Sequence, residues 1–266
     1  MKISVLGTGR LGCALARDLA STGNRVTALS PSPPASEQVP ALWMRCDAVT
    51  GEGLRAGLEG SDVVVYSAWS TQPKVAKDVA ALGAVHAARV AREVGAERLV
   101  LLGPAGLSEV CKSIGGRARH GALAAVAERG PALVTLNLPV LFGHGDALLS
   151  PWIHRLSAGH SPRVPGGKHW IHPLWIQDAV RVIRLAIQGQ FDGQRLEVLG
   201  PERWLVSTLV KYVCELEGRS PSRIPRRLGK ELEAIIRDQD TADDDWERFN
   251  LGKRCRVSDW LAGRGR

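Results

Sequence analysis

Short apolar runs alternate with amphipathic segments along the first half of the chain. The apolar runs, bounded by turn residues, predict buried strands at residues 2–6, 25–30, 42–46, 62–67, 98–102 and 132–137. Apolar residues at helical spacing predict helices from residue 11 to a stop at Gly23, around 53–58, over 74–94 and from about 117 to 129. Strands that alternate with helices in this way form a parallel sheet with helices on both faces. The pattern therefore predicts an α/β fold with a doubly wound parallel sheet.

The pattern changes in the second half of the chain. Residues 143–173 are rich in glycine, histidine and proline, which is typical of a cap over a ligand site. Further helices are predicted at 151–158, 175–188 and 206–217, and a strand at 195–199. We expect residues 1–143 to form the doubly wound core. Residues 144–266 should form mainly a cap and C-terminal helices, with some elements returning to the core.

Composition agrees with an ordinary globular protein. The 266 residues are 44% hydrophobic and 23% charged, which suits one α/β domain, or a large domain with a small appendage. No apolar stretch approaches the roughly 18 residues of a membrane helix, and the first residues do not resemble a signal peptide. The five cysteines are odd in number and scattered, which is typical of a reducing cytoplasm. We expect no metal site.

The charge of the chain points to an anionic partner. Lys and Arg number 35 against 27 Asp and Glu, a formal net charge of +8. Nucleic acid is not expected, because the basic clusters at 223–230 and 253–256 lack interleaved aromatic residues and a recognisable binding module. A phosphate-rich cofactor, an acidic substrate and an ordinary solvated surface stay open.

Three glycines in the pattern GxGxxG, Gly7, Gly9 and Gly12, follow the first predicted strand and open the first helix. In this context the first glycine allows a tight turn and the second lets the backbone approach a pyrophosphate. The third lets helix and strand pack closely, and the helix amino terminus faces the anion. The motif predicts dinucleotide binding and hence a Rossmann-type fold. Together with the changed pattern of the second half, it predicts a Rossmann-type core with a small C-terminal substrate-binding cap. A merely structural turn is the alternative.

The end of the second strand indicates which dinucleotide is bound. An Asp or Glu there would hold the adenosine ribose 2′-hydroxyl of NAD. Here the position is Ser30 with no acid beside it, and Arg10 lies inside the glycine turn, so both can meet a 2′-phosphate. We therefore expect NADP(H) in preference to NAD(H). In the alternative, Arg10 is a solvated loop residue and the site accepts either.

Segments beyond the glycine turn carry a family likeness. They are RCD at residues 45–47, DVVVYSA at 62–68, AREVG at 91–95, LNLPVLFG at 136–143, VPGGK at 164–168 and HPLWIQD at 172–178. In this order they resemble the extended short-chain dehydrogenase/reductase family, which includes NAD-dependent epimerases and dehydratases, and in particular its atypical, NmrA-like branch. The resemblance covers nearly the whole chain.

The resemblance implies a set of residues that contact the cofactor. They are Gly7, Gly9, Arg10, Leu11 and Gly12 in the turn, Ser30 after the second strand, Asp47 and Ala48 at the adenine, Ser67, Ala68 and Trp69 along the cofactor, and Pro139, Val140 and Leu141 beside the nicotinamide. Asp47 also suits a helix N-cap or a turn. The glycine pattern departs slightly from the family's GxxGxxG, because Leu6 stands where the first glycine would be.

The proton-transfer residues of that family are not retained. The family uses a Ser followed by Tyr-x-x-x-Lys, and the matching positions here are Pro104, Gly115 and Arg119. The chain's two tyrosines lie elsewhere, so neither is an obvious substitute. Arg119 can still hydrogen-bond a ribose or phosphate, and the neighbouring His120 has a side chain suited to acid/base work. These two are the candidate catalytic residues, with a solvent-facing helix position as the alternative for His120.

The resemblance and its gaps imply an atypical oxidoreductase. We expect an NADP(H)-dependent reductase acting on a small organic molecule that needs little proton assistance, such as an iminium or a conjugated alkene. Two alternatives stay open: a non-catalytic NAD(P)-binding sensor or assembly protein, and an epimerase, isomerase or lyase on the same fold. We expect a cytoplasmic protein with no nucleic-acid or membrane partner, and a homodimer is left open.

Overall fold

A parallel sheet of seven strands forms the centre of the described part of the protein. The computed structural model describes residues 1–34, 41–70, 72–108, 110–144, 149–150, 153–154, 169–218 and 243–263. Its strands are β1 (Lys2–Leu6), β2 (Arg25–Ser30), β3 (Leu42–Arg45), β4 (Val63–Tyr66), β5 (Arg98–Pro104), β6 (Ala132–Leu138), β7 (Leu141–Phe142), β8 (Trp170–Ile171), β9 (Leu174–Trp175), β10 (Arg195–Glu197) and β11 (Trp204–Leu205). The main sheet has the order β10-β6-β5-β4-β1-β2-β3, with every neighbouring pair parallel. Strands β2 and β3 lie on one side of β1, and β4, β5 and β6 lie on the other. The strand order therefore reverses between β1 and β4, and this topological switch point beside β1 is the expected ligand position.

Helices cover both faces of this sheet. They are α1 (Arg10–Ser21), α2 (Leu54–Leu58), α3 (Pro73–Ala80), α4 (Leu82–Glu93), α5 (Ile114–Arg129), α6 (Ile176–Ile187), α7 (Val206–Leu216) and α8 (Val257–Gly263). Successive strand residues point to opposite faces, so Val65 packs in one apolar cluster with residues of α1 and α6, while Val64 packs in the other with residues of α4. Because both faces are covered, the strands are continuous apolar runs. The predicted α/β doubly wound fold is confirmed.

The predicted helix over 74–94 is in fact two helices, α3 and α4, which meet at Ala81. Ala81 has φ −104° and ψ −67°, and the carbonyl of Ala80 accepts a hydrogen bond from the side chain of Arg119. An unbroken helix would use that carbonyl for its own amide ladder. A side chain distant in sequence therefore accompanies the break, at a place where the alanine-rich sequence indicates no stop.

The second half of the chain contributes both to the core and to a separate apolar cluster. α6 packs against α1, and β10 extends the main sheet beside β6. The strand pairs β7–β9 and β8–β11 join α7 and α8 around a cluster that includes Phe142, Leu209 and Val257. The helix predicted at 151–158 lies outside the described residues, apart from 153 and 154. No helix in the described ranges is long and apolar enough to cross a lipid bilayer.

A buried carboxylate in α6 anchors the C-terminal segment. Asp178 is 1% exposed; its Oδ2 accepts from the amide of Cys255 at 2.8 Å, and its Oδ1 accepts from Nη1 of Arg181 at 2.8 Å. Alanine at this position would leave that amide without its acceptor, so we expect the free energy of unfolding to fall by about 2–3 kcal/mol. Urea denaturation measures the loss, with Asp243→Ala, an exposed carboxylate near the same segment, as the control. Equal stabilities of the two variants would contradict an anchoring role for Asp178.

Candidate functional site

A cleft of about 740 Å³ opens at the carboxyl ends of the strands. It lies beside β1, at the switch point where the strand order reverses. The segments that line it lie at the carboxyl ends of β1 to β6 or directly beyond them. They are residues 6–12, 29–33, 46–49, 66–69, 102–104 and 138–141, together with Val79 and Ile176. The structure thus brings together all the residues predicted to contact a cofactor, because each lies at or beyond the end of a parallel strand and these strand ends meet at one edge.

Two glycines of the GxGxxG turn are required by the packing of the turn itself. Gly7 has φ +102°, and a Cβ there would lie 2.7 Å from the amide nitrogen of Ala68. A Cβ at Gly12 would lie 1.8 Å from the carbonyl oxygen of Gly7. A side-chain carbon has no room at either position, so only glycine lets β1, α1 and the end of β4 come this close.

Gly9 differs from the other two glycines of the motif. It has φ −68° and ψ −177°, which any residue adopts, and a Cβ there would meet nothing within 4 Å. Gly9 is the N-cap of α1 and gives the helix no side-chain cap, and the first turn, which begins with Arg10 and Leu11, contains no acidic residue. Uncapped amides at a helix amino terminus bind anions. The fold therefore does not require glycine at this position. Close approach of an anion to these amides would require it, because a side chain would occupy the space in front of them.

Side-chain hydrogen bonds join the end of β2 to the glycine turn. The hydroxyl of Ser30 accepts from Thr8 Oγ1 at 2.7 Å and from Trp43 Nε1 at 3.0 Å. It donates its one hydrogen to the carbonyl of Ser32 at 2.6 Å. Ser30 lines the cleft, but this engaged hydroxyl offers no donor to a phosphate, which removes one part of the predicted 2′-phosphate site. Arg10 is exposed and lines the cleft, so a cation is available there.

The turn after β3 carries the two residues predicted at the adenine. Asp47 Oδ1 accepts from the amide of Val49 at 2.8 Å, so this carboxylate closes the turn as well as lining the cleft. The carbonyl of Ala48 accepts from Nδ1 of His86 on α4 at 3.1 Å. The turn is held from two sides, which fixes this edge of the cleft.

The segments after β4, β5 and β6 line the other end of the cleft. Ser67 Oγ lies 3.0 Å from the carbonyl oxygen of Leu6 and 2.9 Å from that of Gly7, which ties the end of β4 to the glycine turn. The lining continues through Ala68, Trp69, Pro139, Val140 and Leu141. The described lining at the ends of β5 and β6, residues 102–104 and 138–141, consists of leucine, glycine, proline and valine, so it carries no group that exchanges a proton.

The two candidate catalytic residues do not line the cleft. Arg119 is fully buried on α5, where its Nε donates to the carbonyl of Ala80 and its Nη1 donates to that of Leu102 at 2.6 Å. Burial lowers the pKa of Arg119 to about 10, so it stays charged at neutral pH. Arg119 is not positioned for the predicted hydrogen bond to a ribose or phosphate, because its guanidinium donates to these two carbonyls and is buried behind the cleft wall. His120 is half-buried on the same helix and lies outside the lining.

Tyr66 also lines the cleft, although the sequence places it inside a strand. It is the last residue of β4, and its hydroxyl donates to the carbonyl of Val79 at 2.6 Å. Burial raises its pKa to about 12, so its proton is held by the protein. Pro104, the residue that the sequence resemblance matches to a serine, lines the cleft as well and has no hydroxyl. The sequence signal for Tyr66 is its place at the carboxyl end of a parallel strand.

Comparison with known proteins finds similarity at the level of structure. No protein-family model matches the chain, and no curated protein sequence matches it. The UDP-glucose 4-epimerase of Thermotoga maritima with UDP-glucose is 17% identical, with a TM-score of 0.81, over 98% of this chain and 96% of that chain. MoeE5 in complex with UDP-glucuronic acid and NAD is 19% identical, with a TM-score of 0.81, over 98% and 97%. A double mutant of the Streptomyces venezuelae dTDP-glucose 4,6-dehydratase DesIV with NAD is 17% identical, with a TM-score of 0.82, over 98% and 95%.

These three structures have the fold described above, and two of them hold NAD. At identities of 17% to 19% the similarity establishes the predicted Rossmann-type α/β architecture. The ligand and the chemistry of a chain with this fold depend on its own cleft residues.

Proposed function

We propose that this chain binds a nicotinamide dinucleotide in the cleft and acts as an atypical oxidoreductase of the short-chain dehydrogenase/reductase type on a small organic molecule. The observation that carries the proposal is Gly9, a glycine that the fold does not need, at the uncapped amino terminus of a helix beside the cleft. NAD in two of the similar structures supports the same class of ligand.

Each part of the dinucleotide would meet a distinct set of residues. We assign the pyrophosphate to the amides of residues 9–11, the adenine to residues 47–48, the length of the cofactor to residues 67–69 and the nicotinamide to residues 139–141. A bound nicotinamide supplies a hydride donor or acceptor. Residues 144–266 would supply mainly the cap on the substrate side and the C-terminal helices, while α6 and β10 belong to the core.

We propose NADP(H) as the preferred form. The end of β2 and the segment directly after it, residues 30–34, hold no acid that would bind a free ribose 2′-hydroxyl. Arg10, close in sequence to the Thr8 that contacts Ser30, is exposed, and a guanidinium binds phosphate through paired hydrogen bonds. Because the Ser30 hydroxyl is engaged, the preference rests on Arg10.

The residues around the nicotinamide position favour a reaction that takes no proton from the protein. The described lining there is apolar, and the phenol of Tyr66 keeps its proton and donates it in a hydrogen bond to the carbonyl of Val79. Reduction of a simple ketone needs a proton donor for the developing alkoxide. We therefore propose acceptors such as an iminium or a conjugated alkene.

Two other functions have specific support. The lack of a proton-exchanging side chain around the proposed nicotinamide position also suits a non-catalytic NAD(P)-binding sensor or assembly protein. The named activities of the similar structures, an epimerase and a dehydratase, favour an isomerase or a lyase. Cofactor turnover separates these functions, since a reductase oxidises bound NADPH when its acceptor is added, whereas a sensor only exchanges it.

Calorimetric titration with NADPH, NADP, NADH and NAD tests the proposal. We expect NADPH to bind at least about tenfold more tightly than NADH, since a hydrogen bond to a charged group contributes about 1.5–3 kcal/mol and each 1.4 kcal/mol is a factor of ten. Arg10→Ala should remove this preference and leave the affinity for NADH unchanged. Arg17→Ala, at an exposed position farther along α1, is the control and should change neither affinity. Equal affinities of the wild type for NADH and NADPH would overturn the NADP(H) assignment, and failure to bind any dinucleotide would overturn the proposed function.

A further inference from the structure

A buried arginine without a counter-ion lies behind the wall of the cleft. Arg119 is 0% exposed, and its Nε and Nη1 donate to the carbonyls of Ala80 and Leu102. Its Nη2 has no hydrogen-bond partner, and within the described ranges no carboxylate forms an ion pair with it. Two of the three nitrogens of this guanidinium are thus engaged, and its charge is not neutralised.

The groups that surround the guanidinium are also groups that line the cleft. The Cζ atom of Arg119 lies 5.2 Å from the ring centroid of Tyr66 and 5.3 Å from that of Trp69. Both rings belong to the cleft wall, and so does Leu102, whose carbonyl accepts from Nη1. The cation is therefore separated from the contents of the cleft only by the residues of the wall.

The two hydrogen bonds that Arg119 makes with the protein do not explain why a charged side chain is buried at this position. Burial lowers its pKa to about 10, which leaves it protonated at neutral pH. A buried charge without a partner is unfavourable, and the two aromatic faces offset this only in part. A neutral amide side chain can also donate to a carbonyl without that penalty. Because water is excluded, the field of this cation is screened much less than that of a surface arginine.

The cation lies on the side of the cleft that we assign to the nicotinamide. A dinucleotide lies across the switch point with its pyrophosphate at the first helix and its adenosine beside the second strand. Its other half then faces the ends of β4, β5 and β6. Trp69 follows β4 and Leu102 belongs to β5, so Arg119 stands behind this half. The described lining at the ends of β5 and β6 contains no carboxylate that would offset its charge.

We propose that Arg119 makes the cleft bind the reduced nicotinamide dinucleotide more tightly than the oxidised one. This inference rests on the proposed function. Reduction adds two electrons and one proton to the nicotinamide ring, which converts a ring of charge +1 into a neutral ring. The rest of the dinucleotide is the same in both forms, so a fixed cation behind the ring repels only the oxidised form. The preference is a property of binding and is present before any substrate enters.

The ratio of two dissociation constants isolates this effect. Calorimetry gives Kd for NADP and NADPH, or for NAD and NADH if that pair binds better, in the wild type, Arg119→Gln and Arg119→Lys. In Arg119→Gln we expect the ratio of oxidised to reduced Kd to fall about tenfold, which corresponds to about 30 mV in the potential of the bound couple. Arg119→Lys keeps the charge and should keep the ratio. Arg89→Gln removes an exposed cation on α4 and is the control, with no change in ratio expected.

The outcomes distinguish an electrostatic role from a structural one. If Arg119 only held the wall together, Arg119→Gln would weaken both forms by the same factor, and an unchanged ratio would overturn this proposal alone. The wild type provides a test that needs no variant, since a bound couple no easier to reduce than the free couple would also overturn it. Failure of the wild type to bind either form would overturn the proposed function together with this inference.

Discussion

Replacing Gly9 by aspartate should abolish dinucleotide binding and leave the protein at least as stable as the wild type. The N-cap of α1 has no side chain, and aspartate is among the best N-cap residues, because its carboxylate accepts from amides of the first turn and faces the positive end of the helix dipole. The same carboxylate would occupy the amides that we assign to the pyrophosphate and would repel its charge. We expect the affinity to fall at least about 100-fold and the free energy of unfolding to rise by about 0.5 kcal/mol.

Calorimetric titration with NADPH and urea denaturation, on the same protein samples, check both halves of this expectation. Gly9→Ser is the matched variant, since serine also caps a helix but brings no charge. It should keep the stability and lose only about tenfold in affinity. Tight binding by Gly9→Asp would refute the pyrophosphate site. A Gly9→Asp protein less stable than the wild type would show that the fold itself needs glycine at this position.

The position of the cleft residues can be predicted from the sequence because of the way parallel sheets are built. Ser30, Asp47, Ser67 and Pro139 are far apart along the chain, yet each lies at or just beyond the end of a strand, and the carboxyl ends of parallel strands meet at one edge. The strands are recognisable because helices cover both faces of the sheet, which makes each strand a continuous apolar run. Local sequence is therefore sufficient to predict this part of the site.

Side chains on the helices depend on partners that the sequence does not reveal. Position matching puts Arg119 where the resembling family has its lysine, but the guanidinium holds the carbonyls of Ala80 and Leu102. These carbonyls belong to the end of α3 and to β5, and the one at Ala80 lies beside the break at Ala81, which no residue type marks. Spacing along one helix cannot show whether such acceptors are within reach.

The acidic segment near the C-terminus is a second example of a role that the sequence does not reveal. Its composition indicates only a polar tail, but Asp245 Oδ2 accepts from the amide of Glu197 at 2.8 Å, and Asp244 Oδ1 accepts from that of Leu199 at 3.0 Å. These carboxylates accept hydrogen bonds from amides at and just after β10. β10 is an edge strand of the sheet, and unpaired amides at an edge can pair with another chain. A run of acids shows charge, and only the fold shows which amides it meets.

Gly12→Ala should destabilise the protein by about 3 kcal/mol or more, the largest effect on stability that we expect. A Cβ at Gly12 would lie 1.8 Å from the carbonyl oxygen of Gly7. The backbone of Gly7 is held in place, because its amide donates to the carbonyl of Leu29 at 2.8 Å and its carbonyl oxygen lies 2.9 Å from Ser67 Oγ. Alanine would therefore push α1 away from β1 and break the contacts that close the turn.

Gly121→Ala is the control that isolates this clash. Gly121 lies within α5, a Cβ there would meet nothing within 4 Å, and alanine is favoured over glycine in a helix by up to about 1 kcal/mol. Helix propensity alone predicts that both substitutions raise the free energy of unfolding. The packing of the turn predicts that Gly121→Ala raises it and that Gly12→Ala lowers it. Urea denaturation of the two variants separates these expectations. A stabilised Gly12→Ala would mean that α1 does not approach β1 this closely, and that the third glycine of the motif has no structural role here.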